Sequence, residues 1–124
     1  MAKKEKLVPG EYIVNAEKKT VVYTTIAHGI RFVGIANCGP KDAFDEETGK
    51  AIAHMRATLE QRRYDLGLTR AFIEEMKALM EYMKRKNDGV VSPHFMRAIQ
   101  AAADEEKAQL AHIRDLKNRI EAYN

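Results

Sequence analysis

The chain has 124 residues, of which 45% are apolar, 31% charged and 7% aromatic, with no tryptophan. This length favours one domain with a modest core, and the composition suits long amphipathic helices better than a β-sandwich. The formal net charge of +3, from 21 basic and 18 acidic residues, weakly favours an anionic partner but falls short of the concentrated charge of a nucleic-acid binder.

A single cysteine, Cys38, excludes an internal disulfide and offers no zinc signature by itself, which points to a reducing compartment. The lysines of the opening MAKKEKLVPGEY are followed by no apolar segment. No later run approaches the roughly twenty apolar residues of a membrane span. The expectation is a cytoplasmic protein without a membrane partner.

Residues 1–10, with their lysines and a Pro-Gly pair, read as a solvated arm. The span 11–38 reads as a small antiparallel sheet. Tyr12 to Val14 form a first short strand, a polar turn follows across Asn15 to Lys19, and the β-branched run Thr20 to Ile26 is the firmest strand. His28-Gly29 is placed for a tight hairpin turn before a third strand, Ile30 to Cys38. So small a sheet must bury one face, and the helical part is the only candidate to cover it.

Gly39-Pro40 ends the third strand, and Asp42 and Asp45 are both suitable N-caps for a helix over 42–88. Ile52, Met55, Leu59, Leu66, Ile73, Met76, Met80 and Met83 recur at helical spacing as one stripe. Tyr64, Leu68, Phe72 and Leu79 fall on another face, and this surplus argues for an oligomer. Continuous, the helix would be about 60 Å long; Gly67 could bend or break it.

Asn87-Asp88-Gly89 ends this helix, with Gly89 suited to the left-handed C′ position. Ser92 as N-cap and Pro93 at the first position then open a second helix over 92–123. Its stripe is Phe95, Ile99, Ala102, Ile113, Leu116, Ile120 and Tyr123, interrupted by Glu106 and Gln109. A short connection makes the two helices antiparallel. The fold class is therefore α+β, an N-terminal sheet of about three strands followed by two long helices.

Catalytic and metal signatures are missing from the sequence. His28, His54, His94 and His112 are scattered, and there is no HExxH pair, no Cys-x-x-Cys and no Gly-x-Ser-x-Gly elbow. Cys38 has no base beside it in sequence and reads as a small buried thiol. No catalytic residue, metal or cofactor is expected, and the protein reads as a binder.

With no glycine-rich phosphate loop, an anion must be held by side chains, and the guanidinium fork is the best of them. The candidates are Arg31 on the third strand, Arg56 on the first helix, Arg97 early and Arg114 late on the second, with Arg119 near its end. Arg62 and Arg63 interrupt the apolar stripe and could equally be solvated or paired with Glu60 or Asp65. For Arg31 and Arg114, surface salt bridges are the competing reading. A nucleotide base also needs a face, and Tyr82, His94 and Phe95 gather around the helix connection with Asn87 able to bond a base edge. Phe95 and Tyr82 could instead simply close the end of the core.

The stretch Gly34 to Ala53, G-x-A-x-C-x-P-x-D-x-F-D-x-x-x-G-x-x-I-A, is similar to a pattern of small phage-encoded proteins. The plan of a sheet followed by two long helices resembles the first-described Thoeris anti-defence sponge family. That resemblance implies a non-enzymatic protein that sequesters a cyclic nucleotide signal, a glycocyclic ADP-ribose isomer, and in some members cyclic oligonucleotides. It also implies assembly into dimers and hexamers, and an arginine clamp of the kind Arg31 and Arg114 could form. The alternative is a phage protein that binds a host protein or nucleic acid through its helical or basic surface.

Overall fold

The computed structural model describes residues 9–39 and 43–123; the expected arm, Pro40 and the Asp42 cap lie outside them. It is an α+β fold: β1 (Tyr12–Asn15), β2 (Thr20–Ala27) and β3 (Ile30–Asn37), then α1 (Glu46–Lys86) and α2 (Pro93–Glu121). Both helices are a little shorter than the spans 42–88 and 92–123, as expected where ends fray or turn. Contacts divide the chain into two compact units, residues 1–61 with 115–124, and residues 62–114.

In the first unit the three strands are antiparallel in the order β1-β2-β3. Ala27 pairs with Ile30, so His28-Gly29 is a two-residue turn, and φ values of 54° and 73° there are the positive pair a type I′ hairpin requires. The β1–β2 turn is held by the Lys18 amide donating to Asn15 Oδ1 at 3.0 Å, with Lys19 left-handed at φ 53°.

The period of two sorts the sheet into faces. Val21 pairs with Ala36 and Tyr23 with Gly34, and this face carries the start of α1. Val21, Ala36 and Ala53 form the buried centre, with Val14, Tyr23, Phe44 and Ile52 packed against it. Small residues set the distance: a Cβ on Gly34 would overlap the Ala53 carbonyl oxygen and the Ala57 amide. Met55, Leu59, Leu116 and Ile120 are also buried in this unit, each side chain contributing about 1.5–3 kcal/mol. On the opposite face Ile13, Val22 and Ile35 form one cross-strand row, and Ile35 and Ile26 are exposed.

In the second unit the two helices run antiparallel over a core that includes Leu66, Ile73 and Ile113. Arg70 Nε donates to Glu106 Oε2 at 3.0 Å across them, which accounts for one polar break in the α2 stripe. Partly exposed, this pair contributes less than about 1 kcal/mol. Helix α1 is unbroken at Gly67. Its C-terminus corrects one expectation: Gly89 N–H donates to the Lys84 carbonyl at 2.8 Å, so Asp88, at φ 53°, occupies the left-handed C′ position and Gly89 follows it. Pro93 opens α2 as expected, and the Ser92 carbonyl accepts from the Met96 amide at 3.1 Å.

Candidate functional site

The stretch from Gly34 to Ala57 that turns strand into helix also walls a cavity of about 500 Å³ in the first unit. The end of β3 supplies Ala36, Asn37 and Cys38, and the start of α1 supplies Thr48, Gly49 and Ile52. Phe44 lies between them, with Lys19 from the β1–β2 turn and Tyr123 from the chain end also on the wall. Among the described residues of the wall, Lys19 and Tyr123 come from outside the stretch.

Helix capping fixes the electrostatics of this wall. Asp45 Oδ2 accepts the Thr48 hydroxyl at 2.7 Å, and Oδ1 accepts the Glu47 amide at 3.1 Å. The bonds from the Thr48 side chain and amide, then from the Glu47 amide, hold the Asp45 carboxyl below its usual range against a small opposing effect of burial. The positive end of the helix is thus already occupied by a carboxylate. Among the described residues of the wall, Lys19 and Asp45 are the charged ones, one of each sign.

Cys38 is a half-buried thiol in no disulfide, more open than the buried thiol expected. Its Sγ donates to the Ala43 carbonyl at 3.5 Å.

The residues singled out from sequence lie elsewhere. Arg31 is exposed on β3 in the first unit and forms no ion pair with a described residue. In the same unit Arg56 Nη1 donates to the Ile35 carbonyl. Tyr82, Asn87, His94, Phe95 and Arg97 all belong to the second unit, around the connection of α1 to α2. There Tyr82 is 52% exposed with Lys86 Nζ 5.8 Å from its ring centroid. His94 and Arg97 are exposed and Phe95 is half-buried.

Arg114 stands apart from that cluster. It lies some seventeen residues beyond Arg97 on the same helix, about 25 Å at the helical rise. One chain therefore does not bring Arg114 to the aromatic residues of the connection. None of the eight residues expected to bind ligand lines the cavity. Arg62 is paired with Asp65 at 3.3 Å, one of the two partners considered for it, and Arg119 lies 3.8 Å from Asp115.

Two groupings bring together residues far apart in the sequence. Tyr12, Tyr23 and His54 form a ladder of rings with successive centroids 4.7 Å apart, and Lys50 Nζ lies 5.6 Å from the Tyr12 centroid. Burial, then Tyr23 and Glu47, push the Tyr12 phenol above its ordinary value. The Tyr12–Tyr23 contact follows from strand register, but the contact with His54 depends on where α1 crosses the sheet. The cavity likewise needs Tyr123, far along the chain.

Among the described residues, no three or more His, Cys, Asp or Glu side chains gather in a way that could hold a metal ion. No helix there is long and apolar enough to cross a membrane. Comparison of the chain with protein-family models, with curated proteins and with solved structures gave no match.

Proposed function

We propose that this protein binds and sequesters a cyclic ADP-ribose-type nucleotide signal in the host cytosol without cleaving it, as a phage anti-defence sponge, with cyclic oligonucleotides as further ligands. The observation that carries this reading is the state of the arginines. Arg31, Arg97 and Arg114 are exposed without an ion pair to any described residue, whereas Arg62, Arg70 and Arg119 are paired within the chain. An unpaired guanidinium gives up no internal partner when it takes a phosphate bidentately.

The separation of Arg114 from Tyr82 and Phe95 supports completion of the pocket by a second copy of the chain. Leu68, Phe72 and Leu79, all exposed on α1, offer an apolar surface for that association. Nanomolar capture requires about 12 kcal/mol after ordering costs, and a pocket preformed between subunits limits those costs.

The test is retention. The protein is incubated with a panel of cyclic nucleotides, freed of unbound ligand and heat-denatured, and the released material is identified. Intact cyclic nucleotide is the expected product; a converted product would mean an enzyme, and no nucleotide would end the proposal. Arg31→Ala or Arg114→Ala is expected to weaken retention by about 1.5–3 kcal/mol. Binding to nucleic acid instead, with affinity falling steeply as salt rises, would favour the basic-surface alternative.

A further inference from the structure

We infer that the sheet face turned away from α1 docks a second copy of this chain, sheet on sheet, about a two-fold axis that runs along β2. The contact does not depend on the nucleotide reading, and it is distinct from the surface offered by Leu68, Phe72 and Leu79 on α1.

The strands themselves call for cover on both sides. An antiparallel sheet with one wet face alternates apolar and polar residues, whereas a strand buried on both faces is apolar throughout. Ala53 of α1 packs on Val21 and Ala36, yet the residues that alternate with that face are apolar as well: Ile13 on β1, Val22 and Ile26 on β2, Val33 and Ile35 on β3. Thr24, in the middle of this second face, is buried, but Ile13, Val22 and Val33 are only half-buried, and Ile26 and Ile35 are exposed. The strand residues of the face carry one charge, Arg31 at a corner, which matches neither a nucleic acid nor a charged peptide.

Register selects a second copy as the occupant. Across β1, β2 and β3 the face reads Asn15-Thr20-Asn37 and then Ile13-Val22-Ile35; Thr24-Val33 and Ile26-Arg31 follow on β2 and β3. A two-fold axis along β2 lays each row on itself reversed. Val22 then meets the partner's Val22, Ile13 meets the partner's Ile35, and Asn15 meets the partner's Asn37, so that apolar lies on apolar and amide on amide. An axis across the strands would instead set Thr20 on Ile26 and Asn37 on Arg31. Aligned strands in sheets about 10 Å apart are the ordinary geometry of face-to-face packing. Arg31 lies in a row that β1 does not reach, so it stays on the rim. Three strands of at most eight residues give a face of about 400 Å² in plan. A standard interface takes roughly 800 Å² from each partner, so the expected affinity is micromolar.

The test is sedimentation of the full chain carrying Phe72→Glu, which blocks association through α1 and leaves the sheet untouched. The expected result is a monomer–dimer equilibrium with a dissociation constant of about tens of micromolar, weakened at least about tenfold when either Ile35→Glu or Ile13→Lys is added. Mixing the Ile35→Glu chain with the Ile13→Lys chain is expected to restore the dimer, because one of the two Ile13–Ile35 contacts becomes an ion pair and the other is intact. Unchanged circular dichroism and melting would show that the variants fold. A Phe72→Glu chain monomeric at every concentration, a dimer indifferent to Ile35→Glu, or a mixture that stays monomeric would each overturn the assignment. A monomer whose sheet binds a hydrophobic dye only after removal of residues 1–8 would give the face to the start of the same chain and equally overturn it. Cyclic-nucleotide retention, measured on the same proteins, reports on the sponge reading alone.

Discussion

Gly34 sits where β3 meets α1, and the atoms a side chain would strike there are backbone, the Ala53 carbonyl and the Ala57 amide. Neither can rotate aside, so Gly34→Ala is expected to destabilise the protein by about 3 kcal/mol, measured as a shift in the urea midpoint at constant slope. Asp45 acts through charge. Its folded-state carboxyl is held below the ordinary value, so the cap contributes stability at pH above the unfolded value and loses it as pH falls through the folded one. Asp45→Ala should therefore melt below the wild type near neutral pH, with the gap closing in acid; a gap independent of pH would reject the charged cap. The N-cap and the His28-Gly29 turn were legible because each is written within a few neighbouring residues. The role of Gly34 was not, because the backbone that excludes its side chain comes from another element.

At the scale of elements, Gly67 was the uncertain point of α1, and the helix runs through it. The glycine is exposed and a Cβ there would meet nothing within 4 Å. Gly67→Ala should accordingly stabilise the chain by about 1 kcal/mol through backbone entropy, seen as a higher melting temperature; a lower one would mean the helix needs freedom at that point. The buried stripe was legible from its period, since Met55, Leu59, Leu66 and Ile73 are all buried. Its interruptions were not, because Arg70 and Glu106 meet across two helices and spacing along one helix does not reveal a partner on another. Gly89 is left-handed as expected, at φ 85°, but the hydrogen bond to Lys84 makes it C″ and puts Asp88, also left-handed, at C′.

For the whole molecule, the surplus face foreseen on α1 is present, with Leu68 at 46% and Phe72 at 43% exposed. If this face joins copies of the chain, sedimentation should show a concentration-dependent assembly that Phe72→Glu dissociates, with loss of nucleotide retention alongside. A wild-type chain that remains monomeric at high concentration would refute a shared pocket. The ligand site was less legible than the fold. Guanidinium chemistry directed attention to arginines spread over both units, while the cavity is built mainly from the motif first taken as a corner between sheet and helix. Tyr123, some 70 to 90 positions beyond the motif residues, also stands on its wall, which no local pattern encodes.

Cys38 N–H donates to the Lys19 carbonyl just before β2, so by alternation the Ile35 carbonyl points away from β2, along the outer edge of β3. That open edge is a template on which a strand from another molecule could add. By taking the Ile35 carbonyl, Arg56 sets a charged, bulky group across the template. An incoming strand would have to displace Arg56 before it could pair with β3 at Ile35.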